Sequence, residues 1–276
     1  MTAAEALVAA TARLRAAGVD DPARDARVLL AHAARIEASR VTLIAPEDLP
    51  EDIEDRFDQL IALRSIRVPV SHLVGEREFY GRRFKVSGEV LDPRPETETL
   101  IEAALAEPFD HMLDLGVGSG CILVTLLAER PQATGLGVDI SEAACLQASA
   151  NAVLHRVERR ARILQSDWFA GIEDQFDMVI ANPPYISRTE YDGLAPEVRD
   201  HEPFQALTDG NDGLTAYRQI AAGVGAVMRS DGRLLLEIGP DQAADVCVLL
   251  ENAGLVDITV LPDLDGRDRV VRARAG

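Results

Sequence analysis

The sequence predicts an α/β protein: a doubly wound, mostly parallel, seven-stranded sheet, preceded by a small N-terminal helical domain and a linking β-hairpin. Three observations predict it. From Pro108 onward, short apolar runs of strand length alternate with segments of helical period, the pattern of a sheet covered by helices on both faces. Before about residue 68 only the helical period is present. Between these regions Gly75, Gly81 and Gly88 punctuate short alternating runs, as in a hairpin. The implied organisation is a helical domain over 1–68, a hairpin linker over 69–92 and a sheet domain over 93–276.

Each element has a local reason. Leu7, Val8 and Leu14 mark one amphipathic face. Asp20-Asp21-Pro22 then supplies a cap followed by proline at a helix start, leading to Val28, Leu29, Leu30 and Ile36. A third helix follows Pro50, with Ile53, Phe57, Leu60, Ile61 and Leu63 at helical spacing; the acidic run from Glu47 to Asp58 reads as its solvated face and start, with partner binding as the minority alternative. His72–Gly75, Glu78–Gly81, Phe84–Val86 and Val90–Leu91 read as short extended pieces. Asp92-Pro93-Arg94-Pro95-Glu96-Thr97-Glu98 leads into a helix ending at Leu105, its prolines keeping the chain extended and its acids suiting a helix N-terminus.

Strands are then predicted at 111–115, 134–138, 162–165, 176–181, 233–238, 255–261 and 269–274. Helices are predicted at 119–130, 142–157, from about 214 to 228, and at 242–252, with a long loop from Asn182 to about Leu214.

Composition narrows the class. The 276 residues, 47% hydrophobic, build an ordinary core, and no apolar run approaches the length of a membrane span. The N-terminus has no basic region followed by an apolar one, so a cytoplasmic protein without membrane association is expected. Cys121, Cys145 and Cys247 are scattered and odd in number, which indicates neither a disulfide framework nor a zinc site, and no metal is expected. A net charge of -18 argues against general or stable nucleic-acid binding, because phosphate contacts rely on clustered Lys and Arg. Lys85 is the only lysine, a compositional habit of the whole chain.

Two motifs carry chemistry. Asp114-Leu115-Gly116-Val117-Gly118-Ser119-Gly120 joins the first strand of the sheet domain to its first helix, where glycines allow a tight turn and a close ligand approach. Asp139 closes the second strand, where a carboxylate can accept bonds from both hydroxyls of a ribose, and Asp167-Trp168 follows the third, where a carboxylate and a ring could flank an adenine. Asp114 beside the turn suits a ligand with an amino group and a sulfonium better than a diphosphate, favouring S-adenosylmethionine over NAD. Asp139 as a helix cap and Trp168 as a core residue stand as the plainer alternatives.

The second motif is Asn182-Pro183-Pro184-Tyr185, at the carboxyl end of an apolar strand. Two prolines stiffen the turn, Asn182 adds a side-chain acceptor and Tyr185 a flat ring, an arrangement suited to a planar NH2 group. An Asn-Pro turn without a ligand is the alternative.

With these residues in place, the chain resembles the class I S-adenosylmethionine-dependent methyltransferases, and within them the bacterial release-factor glutamine methyltransferases of the HemK type. The likeness also rests on Phe79-Tyr80-Gly81, Pro93 to Glu98, Asp167-Trp168-Phe169, Glu202-Pro203, Ala206-Leu207, Asp212-Gly213-Leu214, Glu237-Ile238-Gly239 and Asp268 to Val271. It implies S-adenosylmethionine held by Gly116, Val117, Gly118, Ser119, Gly120, Asp139, Asp167, Trp168 and Asn182. A glutamine would be held by Asn182, Pro183, Pro184 and Tyr185, with Asn182, Pro183 and Tyr185 catalytic. Arg94 and Glu96 would lie over the site on the substrate side. A peptide chain release factor is the implied partner, met by a monomeric enzyme. Val117 and His201 depart from the family pattern, which usually has threonine and an aromatic there.

On this reading Asn182 and the Pro183 carbonyl would accept the two N–H bonds of a substrate amide and turn its lone pair toward the methyl group. Three rivals share part of the pattern: an adenine or cytosine amino-methyltransferase acting on a flipped base, a dinucleotide-dependent oxidoreductase, and a silent adaptor. The charge weighs against the first, and the second leaves Asp114 and the Asn182 motif without a purpose. Intact motifs in both halves of the site make the third the weakest.

Overall fold

Thr2 opens the first helix, Ala3–Ala16, with a reciprocal cap: its hydroxyl accepts the Glu5 N–H while the Glu5 carboxylate accepts the Thr2 N–H. Asp21 caps Pro22–Ala34 in the predicted way, with proline in the first turn, and Glu51–Ser65 follows Pro50. In the computed structural model, which describes residues 1–276, these helices belong to a first compact unit, Met1–Glu76 with Ala195–His201. Leu14, Leu29, Leu30, Phe57 and Ile61 form its core, each fully buried side chain contributing about 1.5–3 kcal/mol.

The inclusion of residues 195–201 has an electrostatic cause. Arg64 is buried and donates to Asp25 Oδ2 at 2.8 Å and to Glu197 Oε1 at 2.9 Å, and Arg67 donates to Glu197 Oε2 at 2.6 Å. A buried guanidinium with both forks engaged is costly to break, because either partner left alone would be an uncompensated charge. The stretch near His72, predicted to be extended, is instead the short helix Val70–Val74. Pro69 precedes it and Gly75 ends it at φ 76°, and helix-terminating punctuation outweighed the apparent alternation.

The second unit comprises Arg77–Leu194 and Glu202–Gly276. Its hairpin pairs β1 (Glu76–Phe79) with β2 (Arg82–Lys85) across Tyr80-Gly81, whose φ values of 49° and 67° are the positive pair a tight two-residue turn uses. Val90-Leu91, predicted to be extended, lies in no strand. The main sheet contains β3 (His111–Leu115), β4 (Thr134–Asp139), β5 (Ala161–Gln165), β6 (Phe176–Ala181), β7 (Met228–Glu237), β8 (Val256–Pro262) and β9 (Asp268–Arg274). Its order is β5-β4-β3-β6-β7-β9-β8, with β9 antiparallel to both its neighbours and the other pairs parallel. This is the predicted doubly wound, mostly parallel sheet.

Successive strand residues feed opposite faces: Met112, Met178 and Ile180 join one core, Leu113, Leu115, Val179 and Ala181 the other. β7 begins five residues before its predicted start at Arg233, because Met228 pairs with Phe176 ahead of a bulge that the Asp231-Gly232 turn signal concealed. No helix is long and apolar enough to cross a membrane.

The winding reverses between β3 and β6. Their carboxyl ends lie side by side, Leu115 in register with Ala181, so the glycine turn after β3 and Asn182 after β6 are brought to one crevice.

Candidate active site

That crevice opens into a cavity of about 530 Å³, all of whose walls come from the second unit. Gly116, Asp139, Trp168, Asn182 and Pro184 line it, with Phe204 and Thr208 from the loop beyond β6. Gly118 and Asp167 also reach the wall. Val117, Ser119, Gly120, Pro183, Tyr185, Arg94 and Glu96 do not.

The turn after β3 is shaped by its backbone. The Gly116 and Val117 N–H groups both donate to the Val138 carbonyl at 2.8 Å, and Gly118 N–H donates to Asp139 Oδ2 at 2.9 Å. Gly120 has φ 79°, and a Cβ there would lie 3.1 Å from Ala148, so this position excludes a side chain on two counts. Val117 is buried, and its methyl groups fill the space over Gly137 rather than facing the cavity. Ser119 is buried too, its carbonyl accepting from Asn151 Nδ2 at 2.8 Å. Sequence reasoning gave Asn151 no role. Its side chain also accepts the Lys85 N–H and donates to the Lys85 carbonyl, tying the hairpin to the glycine turn through one buried amide.

Asp139 lines the cavity, and each of its oxygens already accepts one backbone N–H, from Gly118 and from Ser141, at 2.9 Å. Asp139 is not the helix cap of the plainer reading: Ser141 caps Glu142–Leu154, its hydroxyl accepting the Ala144 N–H at 3.2 Å, and each Asp139 oxygen keeps a lone pair for a second donor. Trp168 has φ 51°, a left-handed conformation that costs a bulky residue about 1–2 kcal/mol. Trp168 is partly buried, packs against the core and also lines the cavity. Asp114 is fully buried and outside the cavity wall; Oδ2 accepts the Leu123 N–H at 3.1 Å and Oδ1 has no partner. Burial pushes its carboxyl up to about 8, opposed by the Leu123 bond and aided by the Asp139 charge.

Asn182 Nδ2 donates to Thr97 Oγ1 at 3.2 Å, leaving Oδ1 without a protein donor. Thr97 is buried; nearby, burial pushes the carboxyl of Glu237, whose Oε2 has no partner, up to about 7. Thr97 stands inside a motif noted in the sequence, but its contact with Asn182, 85 residues away, needs the fold. Tyr185 is held through its backbone, whose carbonyl accepts from Gln242 Nε2 at 2.9 Å, and burial pushes its phenol up to about 12, so it stays protonated.

Arg94 donates to both oxygens of Glu202 at 2.7 and 2.6 Å, anchoring the Pro93–Glu98 segment to the chain beyond the motif loop. Burial pushes the Glu202 carboxyl up to about 7 in spite of that guanidinium. Glu96 is exposed. Asp209 accepts the N–H groups of Asn211, Gly213 and Thr215, fixing the turn before the helix Thr215–Val227 that backs the cavity. Burial pushes the Cys121 thiol up to about 12, which makes it a poor nucleophile. No three His, Cys, Asp or Glu side chains form a set that could hold a metal ion.

Residues 5–75 match the PrmC N-terminal domain and residues 87–197 the methyltransferase small domain. The release factor glutamine methyltransferase of Cereibacter sphaeroides is 56% identical over 274 residues, covering 99% of both chains. Those of Rhodospirillum rubrum and Caulobacter vibrioides are 42% and 41% identical, over 95% and 98% of this chain and 82% and 96% of theirs. Among solved structures, the hMettl16 catalytic domain in complex with MAT2A 3′UTR hairpin 6 aligns with a TM-score of 0.59 at 15% identity, over 78% of this chain and 81% of that one. A methyltransferase from Pyrococcus furiosus aligns at 0.56 and 12%, over 72% and 91%. At such identities the structures support the fold alone, whereas the sequence relatives match end to end: the chain belongs to the release factor glutamine methyltransferase family.

Proposed function

We propose that this chain methylates the side-chain amide nitrogen of a glutamine in a peptide chain release factor, using S-adenosylmethionine. The observation that carries the reading is Asn182: it lines the cavity with one end of its amide fastened to Thr97, and its Oδ1 accepts no bond from the protein. The cavity fits the cofactor by its donor set. Asp139 retains lone pairs for a ribose diol, Trp168 offers a ring face for adenine, and the volume falls within the roughly 300–1,000 Å³ range of small-molecule sites. Gly116, Gly118 and Asp167 complete the proposed cofactor contacts. S-adenosylmethionine supplies, when bound, an electrophilic methyl group on a sulfonium.

The remaining work falls to this chain. An amide nitrogen is a weak nucleophile because its lone pair is delocalised into the carbonyl. Asn182 Oδ1 and the Pro183 carbonyl, neither of which accepts a bond within the protein, take the two N–H bonds of the glutamine. Those bonds hold the NH2 group in place, favour charge development on nitrogen and let the lone pair point at the methyl group. Pro184 and Tyr185 limit the amide's freedom, and the Arg94–Glu202 pair holds the Pro93–Glu98 segment, including Glu96, against the motif loop. The helical domain, 1–68, docks the release factor, since a lone glutamine offers too little surface to select one protein. The enzyme acts in the cytoplasm as a monomer.

Mass spectrometry after incubating release factor, cofactor and enzyme tests the reading. One added methyl on a single glutamine is expected, and methylation of duplex DNA at a comparable rate would favour the nucleic-acid alternative instead.

A further inference from the structure

Trp168 stands on a turn that its residue type does not favour. The Asp167 carbonyl accepts the Ala170 N–H at 3.1 Å, and Trp168 is the second residue of that turn at φ 51°, a place that usually falls to glycine, asparagine or aspartate. A bulky residue keeps such a backbone only where its surroundings over-determine it, and strain of this kind gathers at functional sites.

Two restraints hold the turn. Ser166 is 9% exposed, and its hydroxyl reaches into the turn: the single proton goes to the Ala170 carbonyl at 2.7 Å, and the Trp168 carbonyl lies 3.4 Å from the same oxygen. The Ser166 N–H donates to the Asp139 carbonyl at 2.9 Å, so one residue ties the turn to the end of β4. The second restraint is the Phe169 ring, which fills the space over Gly223, where any Cβ would overlap it. Gly223 belongs to the helix Thr215–Val227, whose first turns line the cavity, so the turn is seated on that helix.

We infer that Ser166 is a positioning residue of the cofactor site: its hydroxyl closes the turn on its Phe169–Gly223 seat and so holds Trp168 in the conformation that lines the cavity beside Asp139. The consequence for cofactor affinity rests on the S-adenosylmethionine site proposed above, whereas the conformation of Trp168 does not. Ser166 reaches the cavity wall itself, so positioning has to be separated from direct contact.

The chain has one tryptophan, so tryptophan emission from the full, cofactor-free protein reports Trp168 alone. In Ser166→Ala the emission shifts to the red and acrylamide quenches it more strongly than in the parent, because the turn opens and the ring gains water. Ala170 is exposed, so its carbonyl finds water once released and the fold survives the change. Ser166→Thr keeps the hydroxyl and restores the parent spectrum. A Ser166→Ala protein with the emission and quenching of the parent overturns the inference.

Calorimetric titration with S-adenosylmethionine is the second readout. Ser166→Ala weakens binding about five- to tenfold and raises the cofactor KM while kcat at saturation is kept. In a Trp168→Ala background the same change costs less than about twofold, since a positioning residue then has nothing left to position. A loss that persists undiminished in that background shows that Ser166 touches the cofactor directly, and it overturns the inference, as does unchanged affinity in Ser166→Ala. A parent that binds no S-adenosylmethionine, or a Trp168→Ala protein that binds it as well as the parent, refutes the proposed cofactor site, while the cofactor-free emission still decides whether Ser166 sets Trp168.

Discussion

Gly118 N–H donates to Asp139 Oδ2 at 2.9 Å, so the carboxylate proposed to hold the ribose also fastens the turn that closes over it. Asp139→Ala therefore removes a ligand contact and a loop tether together. Cofactor affinity should fall by roughly 1.5–3 kcal/mol in calorimetric titration, and the Gly118 amide should exchange its hydrogen faster in the free enzyme. Unchanged affinity would remove Asp139 from the site.

Asn151 is buried, with both N–H groups donating, to the Lys85 and Ser119 carbonyls, and its oxygen accepting the Lys85 N–H. Asn151→Ala leaves the Lys85 N–H and two carbonyls without partners, and should destabilise the protein by about 2–4 kcal/mol in urea unfolding. Asn151→Asp keeps the acceptor but loses both donors, and should recover only part of the loss.

The Asp114 carboxyl, raised to about 8 by burial, gives a pH dependence with a definite sign. A carboxyl raised in the folded state stabilises the fold most below its unfolded value, and this contribution drains away as pH rises through the folded value. The cofactor-free parent should therefore lose stability between about pH 4 and pH 8 at this site. Asp114→Asn escapes that loss. Its urea midpoint should exceed the parent's at about pH 9, by on the order of 1–3 kcal/mol in stability, and the gap should shrink at about pH 5. A gap independent of pH would show that Asp114 does not ionise in this range.

Much of this was legible before any coordinates. Buried parallel strands read as continuous apolar runs, and Asp21-Pro22 and Pro50 announce their helices, so the order of elements followed from periodicity and punctuation. Gly116, Asp139, Trp168 and Asn182 were singled out by their positions at strand ends, where this topology collects its ligands. The short helix at Val70–Val74 and the early start of β7 were not legible, because one turn of helix and a bulge leave almost no periodic trace. Nor was the contact of Thr97 with Asn182, 85 residues apart, or the role of Asn151, whose partners Lys85 and Ser119 are distant in sequence. Non-local pairing carries no short-range signal.

The cavity is lined wholly by the second unit, while Glu197, between the motif loop and Glu202, is bound by Arg64 and Arg67 within the first. Removing residues 1–68 should spare cofactor affinity to within about threefold and cut kcat/KM on intact release factor far more than on a short glutamine peptide. A truncated enzyme equally efficient on both would contradict a docking role for the helical domain. Glu197→Gln in the full chain separates loop anchoring from docking: it should mildly lower stability and leave the preference for the intact factor in place.

The orientation of Asn182 is tested most directly by single-turnover methyl transfer to intact release factor, at saturating cofactor, with Asn182→Ala. An acceptor that works chiefly as the transition state forms should cost about 10²- to 10³-fold in rate when removed, or roughly 2.7–4 kcal/mol, while cofactor affinity and the urea midpoint stay near the parent's. A variant that transfers methyl within about threefold of the parent rate would contradict the proposed role and leave Asn182 to Tyr185 as a structural turn.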